Sequence, residues 1–222
     1  MSRRSVIILA CTLLGSGVAL AQPATPAANP KGMTFFVTSE GGGKGADYGG
    51  LKGADRHCAR LAKAAGARAK VWRAYLSQSP AGRMGGVNAK DRIGRGPWVN
   101  YNGVVIANNV VELHGGNAVN KQTALTEKGA TVNGRGDAPN THDILTGSDP
   151  GGTFVADAAL NTCKNWTSSA DGSAIVGHHD RIGLTDAPMA QSWNSSHRTR
   201  GCGTEALKGT GGAGLLYCFA VK

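Results

Sequence analysis

The chain has 222 residues and a formal charge of +10. That length suits one domain with a real hydrophobic core. The bases are spread along the chain, with none of the runs or stripes that nucleic-acid binding uses, so nucleic acid is excluded as an expected partner. Positive charge of this kind suits anionic glycans or a cell surface better.

Residues 1–21 read as a secretory signal peptide. Arg3 and Arg4 give a charged start, an apolar run follows, and Ala19-Leu20-Ala21 is a small-residue cleavage pattern with the cut before Gln22. The apolar run is short for a membrane span and is broken by Gly15 and Gly17; Cys11 leaves with the signal. The protein is therefore expected to be exported, periplasmic or secreted, with no transmembrane segment in the mature chain. Residues 22–32 are rich in Pro and Ala and read as a flexible tether, and 33–222 as a single domain.

MTFFVTS, 33–39, has the aromatic and β-branched content of a strand. LKGADRHCARLAKAAG reads as a helix of about three turns, with Ala54, Cys58, Leu61 and Ala65 on one face and Gly66 at its end. VWRAYLS, 71–77, reads as a strand with Trp72, Ala74 and Leu76 inward and Arg73 and Tyr75 outward. NAKDRI, 88–93, is a short helix ending at Gly94, and WVNYNGVVIA a hairpin turning at Asn102-Gly103. NNVVELHGG adds another helical turn. From 115 to 153 the chain is polar and rich in turn residues, closing on TGSDPGGT. TCKNWTS reads as a short strand bearing Cys163, and GLLYCFAVK, 214–222, as an apolar terminal strand. The class is α+β: short helices, a mixed antiparallel sheet and long loops.

Four cysteines remain after processing: Cys58, Cys163, Cys202 and Cys218. An even count in an exported chain implies two disulfides. Counting alone leaves three pairings open. No C-x-x-C spacing points to a zinc ribbon or a thioredoxin-like motif.

GADRHCARLAKAAG followed by VWRAYLSQS resembles the opening of the endostatin domain of certain collagens. HDILTGSDPGGT, TCKNWTSS and the closing LLYCF resemble its later half in the same order. The set GRGPW, HDILTG, NWTSS, GHHDR, SWNSSH and TGGAGLLYCF also resembles exported bacterial proteins of an endostatin-like, lectin-labelled type. The resemblance spans roughly 33–222 and implies a C-type-lectin-like fold with nested disulfides, Cys58–Cys218 and Cys163–Cys202. It departs from sugar-binding C-type lectins at two places. LTDAPMAQ stands where their Glu-Pro-Asn or Gln-Pro-Asp loop would be, and Ser195 replaces the acid of Trp-Asn-Asp. Asp180, Asp186 and Asn194 remain as oxygen donors for calcium, which wants six to eight of them. Endostatin's zinc site lies on a His-rich N-terminal segment that has no counterpart in this chain.

The candidate ligand-binding residues are His178, His179, Asp180 and Arg181 of GHHDR, and Trp193, Asn194 and His197 of SWNSSH. On a strand, His178 and His179 face opposite ways, whereas His178 and Asp180 share a face that His197 can join. Those three are the candidate metal ligands, with no cofactor required and a divalent metal, calcium or zinc, left open. Trp193 offers either a sugar platform or a core side chain. GTGGAG leads into a strand with no βαβ unit and is a turn, not a nucleotide loop. HDILTGSDPGG carries His142, Asp143, Ser148 and Asp149 but no nucleophile elbow, and no two glutamates pair as a glycosidase requires. The expected function is non-catalytic, lectin-like binding of a glycan or extracellular polymer through 177–201. The alternatives are adhesion to an extracellular host or matrix protein and a metal-dependent enzyme built on GHHDR.

Overall fold

Residues 28–221 are described by a computed structural model; the expected signal peptide, its cleavage point and residues 22–27 of the tether lie outside them. The described end of the tether is docked: the Asn29 N–H donates to the Tyr101 carbonyl, and Pro30–Gly32 form a 3-10 turn. β1 (Phe35–Val37) comes from the first predicted strand. α1 (Gly50–Ala64) is the expected amphipathic helix and buries Ala54, Cys58 and Leu61. β2 (Trp72–Ala74) follows, then the antiparallel pair β3 (Trp98–Val99) and β4 (Val105–Ala107) around the Asn102-Gly103 turn. NAKDRI contributes only the 3-10 turn Ala89–Asp91. α2 (Val110–Gly115) is capped by Asn109, whose side chain accepts from the Glu112 N–H. The remainder is β5 (Asp143–Leu145), α3 (Ala158–Asn161), α4 (Cys163–Trp166), β6 (Ile175–His178), β7 (His197–Arg198), α5 (Thr204–Lys208) and β8 (Gly212–Ala220).

The main sheet runs β1-β8-β5-β6-β7, and β2 also pairs with β8. The β5–β8 pair is parallel and the other pairs are antiparallel, so the sheet is mixed. β8 is apolar throughout because both of its faces are covered. Leu216, Cys218 and Ala220 enter the core shared with α1, Trp72 and Trp166. Leu215, Tyr217 and Phe219 enter a second core with Trp98, Ile106, Leu113 and Trp193. Cys58–Cys218 ties α1 to β8, and Cys163–Cys202 ties α4 to the loop before α5. No helix among the described residues is long and apolar enough to cross a membrane.

Three expectations are corrected. TCKNWTS is not a strand: Cys163, Lys164, Asn165 and Trp166 all have positive φ, from 46° to 66°. Tertiary bonds hold this left-handed turn. The Asn165 side chain accepts from Ser79 N–H and donates to Ser79 O, and the Trp166 indole donates to Ser77 O. Tyr75 does not face outward; just past β2 it is fully buried in the second core, packed against Trp193 and Phe219. The polar stretch 115–153 conceals β5, a three-residue strand buried between β8 and β6. Its Ile144 and Leu145 enter different cores, so the apolar signal is only two residues long.

Candidate functional site

The site grows from strand register. β5 and β6 pair with Asp143 opposite His178, and β7 pairs with β6 so that His197 lies opposite Val176. Opposed residues share a face, and the period of two puts His197 on the His178 side. The register shift between Asp143 and Ile144 against β8 marks the point where the preceding His142 joins them. Close approach there requires glycine: at Gly211, with φ +102°, a Cβ would stand 3.0 Å from the His142 ring.

Three imidazoles converge on one carboxylate oxygen. The Nε2 atoms of His142, His178 and His197 lie 3.3, 3.2 and 3.3 Å from Asp143 Oδ1. The ligating atoms of His142, Asp143 and His178 all fall within 4.8 Å of one another. Asp143, His142 and His178 are buried, and His197 is half-open to solvent. Despite these distances, Asp143 Oδ1 and Oδ2 and His178 Nε2 have no hydrogen-bond partner of acceptable angle. The opposite nitrogen of each ring is bonded. His142 Nδ1 donates to Asp180 Oδ1 at 3.2 Å, His178 Nδ1 to Ala190 O at 2.7 Å and His197 Nδ1 to Arg198 O at 3.0 Å.

Asp180 anchors the site from behind. Besides His142, it accepts from the Arg135 and Ile182 backbone N–H groups. Burial pushes its pKa up, but these donors outweigh burial and hold the carboxyl well below the usual range. Burial raises the pKa of Asp143, and the net direction is down only where the facing His178 and His197 rings carry a proton toward it. The same carboxylate raises the pKa of His197 against a smaller opposing effect of burial. A pocket of about 300 Å³ opens over the cluster, lined by Arg135, Leu184, Ala187, Met189, Ser196 and Thr210 with the three histidines. A larger, shallower groove of about 620 Å³ lies between α1 and β2. Its Arg92 and Arg73 are paired with Asp55, and no buried unsatisfied atom faces it.

The sequence candidates separate. His178 and His197 are in the cluster. Asp180 is not beside them as a third ligand but supports His142. His179 faces away, with Nε2 at 3.1 Å from Asn133 O, and burial lowers its pKa. Arg181 makes no ion pair with Asp180; it clamps Val119 O and Asn117 Oδ1. Trp193 is 3% exposed and packed against Tyr75 and Tyr217, which closes its face to a sugar. Asn194 is buried too, donating to the Tyr75 hydroxyl and to the carbonyls of Asp149 and Pro150. The oxygen set Asp180, Asp186 and Asn194 is spent on different partners, Asp186 on Gln191 and the Asn194 side-chain oxygen on Ser192, and does not assemble a calcium cage. His142 and Asp143 are the members that sequence reasoning passed over. No protein-family model matches the chain, and no curated protein is significantly similar to it.

Proposed function

We propose that this is an exported, lectin-like binding module of the endostatin-like, C-type-lectin-like class, which takes a glycan or extracellular polymer in the pocket over β5, β6 and β7. The observation that carries this is the pocket's mixed wall. Leu184 and Met189 are exposed at 83% and 55%, and Arg135, Ser196, Thr210 and the imidazoles add polar groups to the same lining. Sugars present apolar C–H faces and polar edges, and a cavity of this size with few convergent polar groups suits one sugar unit. Arg135 adds a cation for an acidic residue of the polymer. The ordered motifs and the nested disulfides support the class assignment, which rests on resemblance and carries less weight than the pocket.

A glycan array with the oxidised protein tests this. Binding to a defined glycan class, weakened about 10-fold or more in a folded Leu184→Asp variant, a loss of about 1.4 kcal/mol, is the expected result. Retention of no glycan overturns the lectin assignment and puts a protein ligand in its place.

A further inference from the structure

We propose that His142, His178, His197 and Asp143 bind a divalent transition-metal ion of the zinc class on the floor of this pocket. The first support is the proton inventory. Carbonyl and carboxylate oxygens only accept, so each Nδ1 that bonds one carries a hydrogen: His142 to Asp180, His178 to Ala190, His197 to Arg198. In the neutral rings Nε2 is then a bare lone pair. Three such nitrogens stand 3.2–3.3 Å from Asp143 Oδ1, itself an acceptor, none in hydrogen-bond alignment with it. Four acceptors facing one another in a buried place repel unless a cation sits among them. The orphaned state of Asp143 Oδ1 and His178 Nε2 agrees with this: these close approaches are not hydrogen bonds.

Donor type and spacing select the ion. Three imidazoles and one carboxylate suit zinc and its neighbours, not calcium, which demands an oxygen cage. Bonds of about 2.0–2.1 Å around a tetrahedral ion place donors roughly 3.3 Å apart. The Nε2 atoms of His142 and His178 stand 3.3 and 3.2 Å from Asp143 Oδ1 and these three donors all lie within 4.8 Å of one another, while His197 Nε2, 3.3 Å from the same oxygen, adds a donor on the open side. The support behind the ligands has the expected form, with a carboxylate or carbonyl holding each ring by its far nitrogen. Charge balances as well, because a dication offsets Asp143 and Asp180. The pocket mouth beside His197 gives the ion a way in, and a ligand oxygen can join it as a fifth donor. Only this last statement rests on the function proposed above.

The test needs no glycan. The chelator-stripped, oxidised protein is titrated with Zn²⁺ by calorimetry and with Co²⁺ by visible absorption, and the histidine tautomers are read by ¹⁵N NMR. One ion per chain is expected, with the visible bands of tetrahedral cobalt and all three rings protonated at Nδ1 alone. His197→Ala, whose ring is the most exposed of the set, loses most of the binding. Asp180→Asn, which touches no ion, weakens it about 10–100-fold, and His57→Ala, on α1 where the ring bonds the Glu40 carbonyl, leaves it unchanged. If metal uptake is absent and the three rings carry protons on both nitrogens at neutral pH, the cluster is held by protons and the proposal is overturned. A metal-binding protein that ignores every glycan would instead remove the lectin assignment and keep the metal site.

Discussion

The half of the domain around α1, β2 and β8 and the end formed by β5, β6 and β7 are built on opposite terms. In the first, Cys58–Cys218 pins a helix to the central strand and the buried side chains are largely apolar. In the second, polar atoms are buried without hydrogen-bond partners. Of the five such side-chain atoms among the described residues, four belong to Asp143, His178 and His179, and the other to Trp98. Unsatisfied polarity costs about 1–3 kcal/mol per group, so a fold that concentrates it at one strand end spends stability there. The difference teaches where to look for function: not in the largest groove but where the rules of packing are broken locally and kept elsewhere.

The comparison can be broken most directly through the staple. The Cys58→Ala/Cys218→Ala double variant should lose about 2–5 kcal/mol in denaturant unfolding, while the fraction still folded should take up metal as before. Equal damage to both properties would mean that the two regions are not separate. A smaller effect of opposite sign is expected at the other end. In metal-free protein at pH 8, Asp143→Asn should leave stability unchanged or raise it by about 1 kcal/mol, because it removes a buried charge and its amide can donate to the imidazole lone pairs. The same change should abolish metal uptake. A loss of about 2 kcal/mol or more in that variant would show the carboxylate pairing with imidazolium protons. A pH-dependent effect of similar size belongs to His114. Burial lowers its pKa, and its ring accepts from the Tyr75 hydroxyl while donating to Val110 O. The unfolded chain therefore binds this proton more readily, and stability should fall as pH drops below about 6.5, with a ceiling of about 1.4 kcal/mol per pH unit for one proton. His114→Gln should flatten that slope in melts at pH 5 to 7.

Much of the first region was legible because its signals are local. The spacing of Ala54, Cys58 and Leu61 specifies a helix with one buried face, and Asn102-Gly103 specifies a hairpin. The terminal strand is recognisable from its unbroken apolar run. The disulfide pairing came from resemblance, since counting cannot distinguish three connectivities. The site was half legible. His178 and His197 stand out as histidines in one short polar region, but His142 and Asp143 sit in a polar stretch whose strand shows only Ile144 and Leu145. No local pattern announces that strand, because what makes it a strand is β8 on one side and β6 on the other. Trp193 stayed open for a related reason: an aromatic beside polar residues suits a sugar platform or a core, and only tertiary packing reveals Tyr75 and Tyr217 against its faces.

β8 has a consequence in time as well as in space. It pairs with β1, β2 and β5, yet it follows all of them in the chain. A chain delivered N-terminus first presents Phe35, Phe36 and Trp72 long before the strand that covers them arrives. Contacts this distant in sequence close slowly, and apolar segments without partners are prone to stick to one another while they wait. A chain that stopped before residue 212 would lack not one edge but the common partner of three strands. The half-made domain is thus a single unfinished unit, and quality control can judge it by one event, the arrival of its last strand.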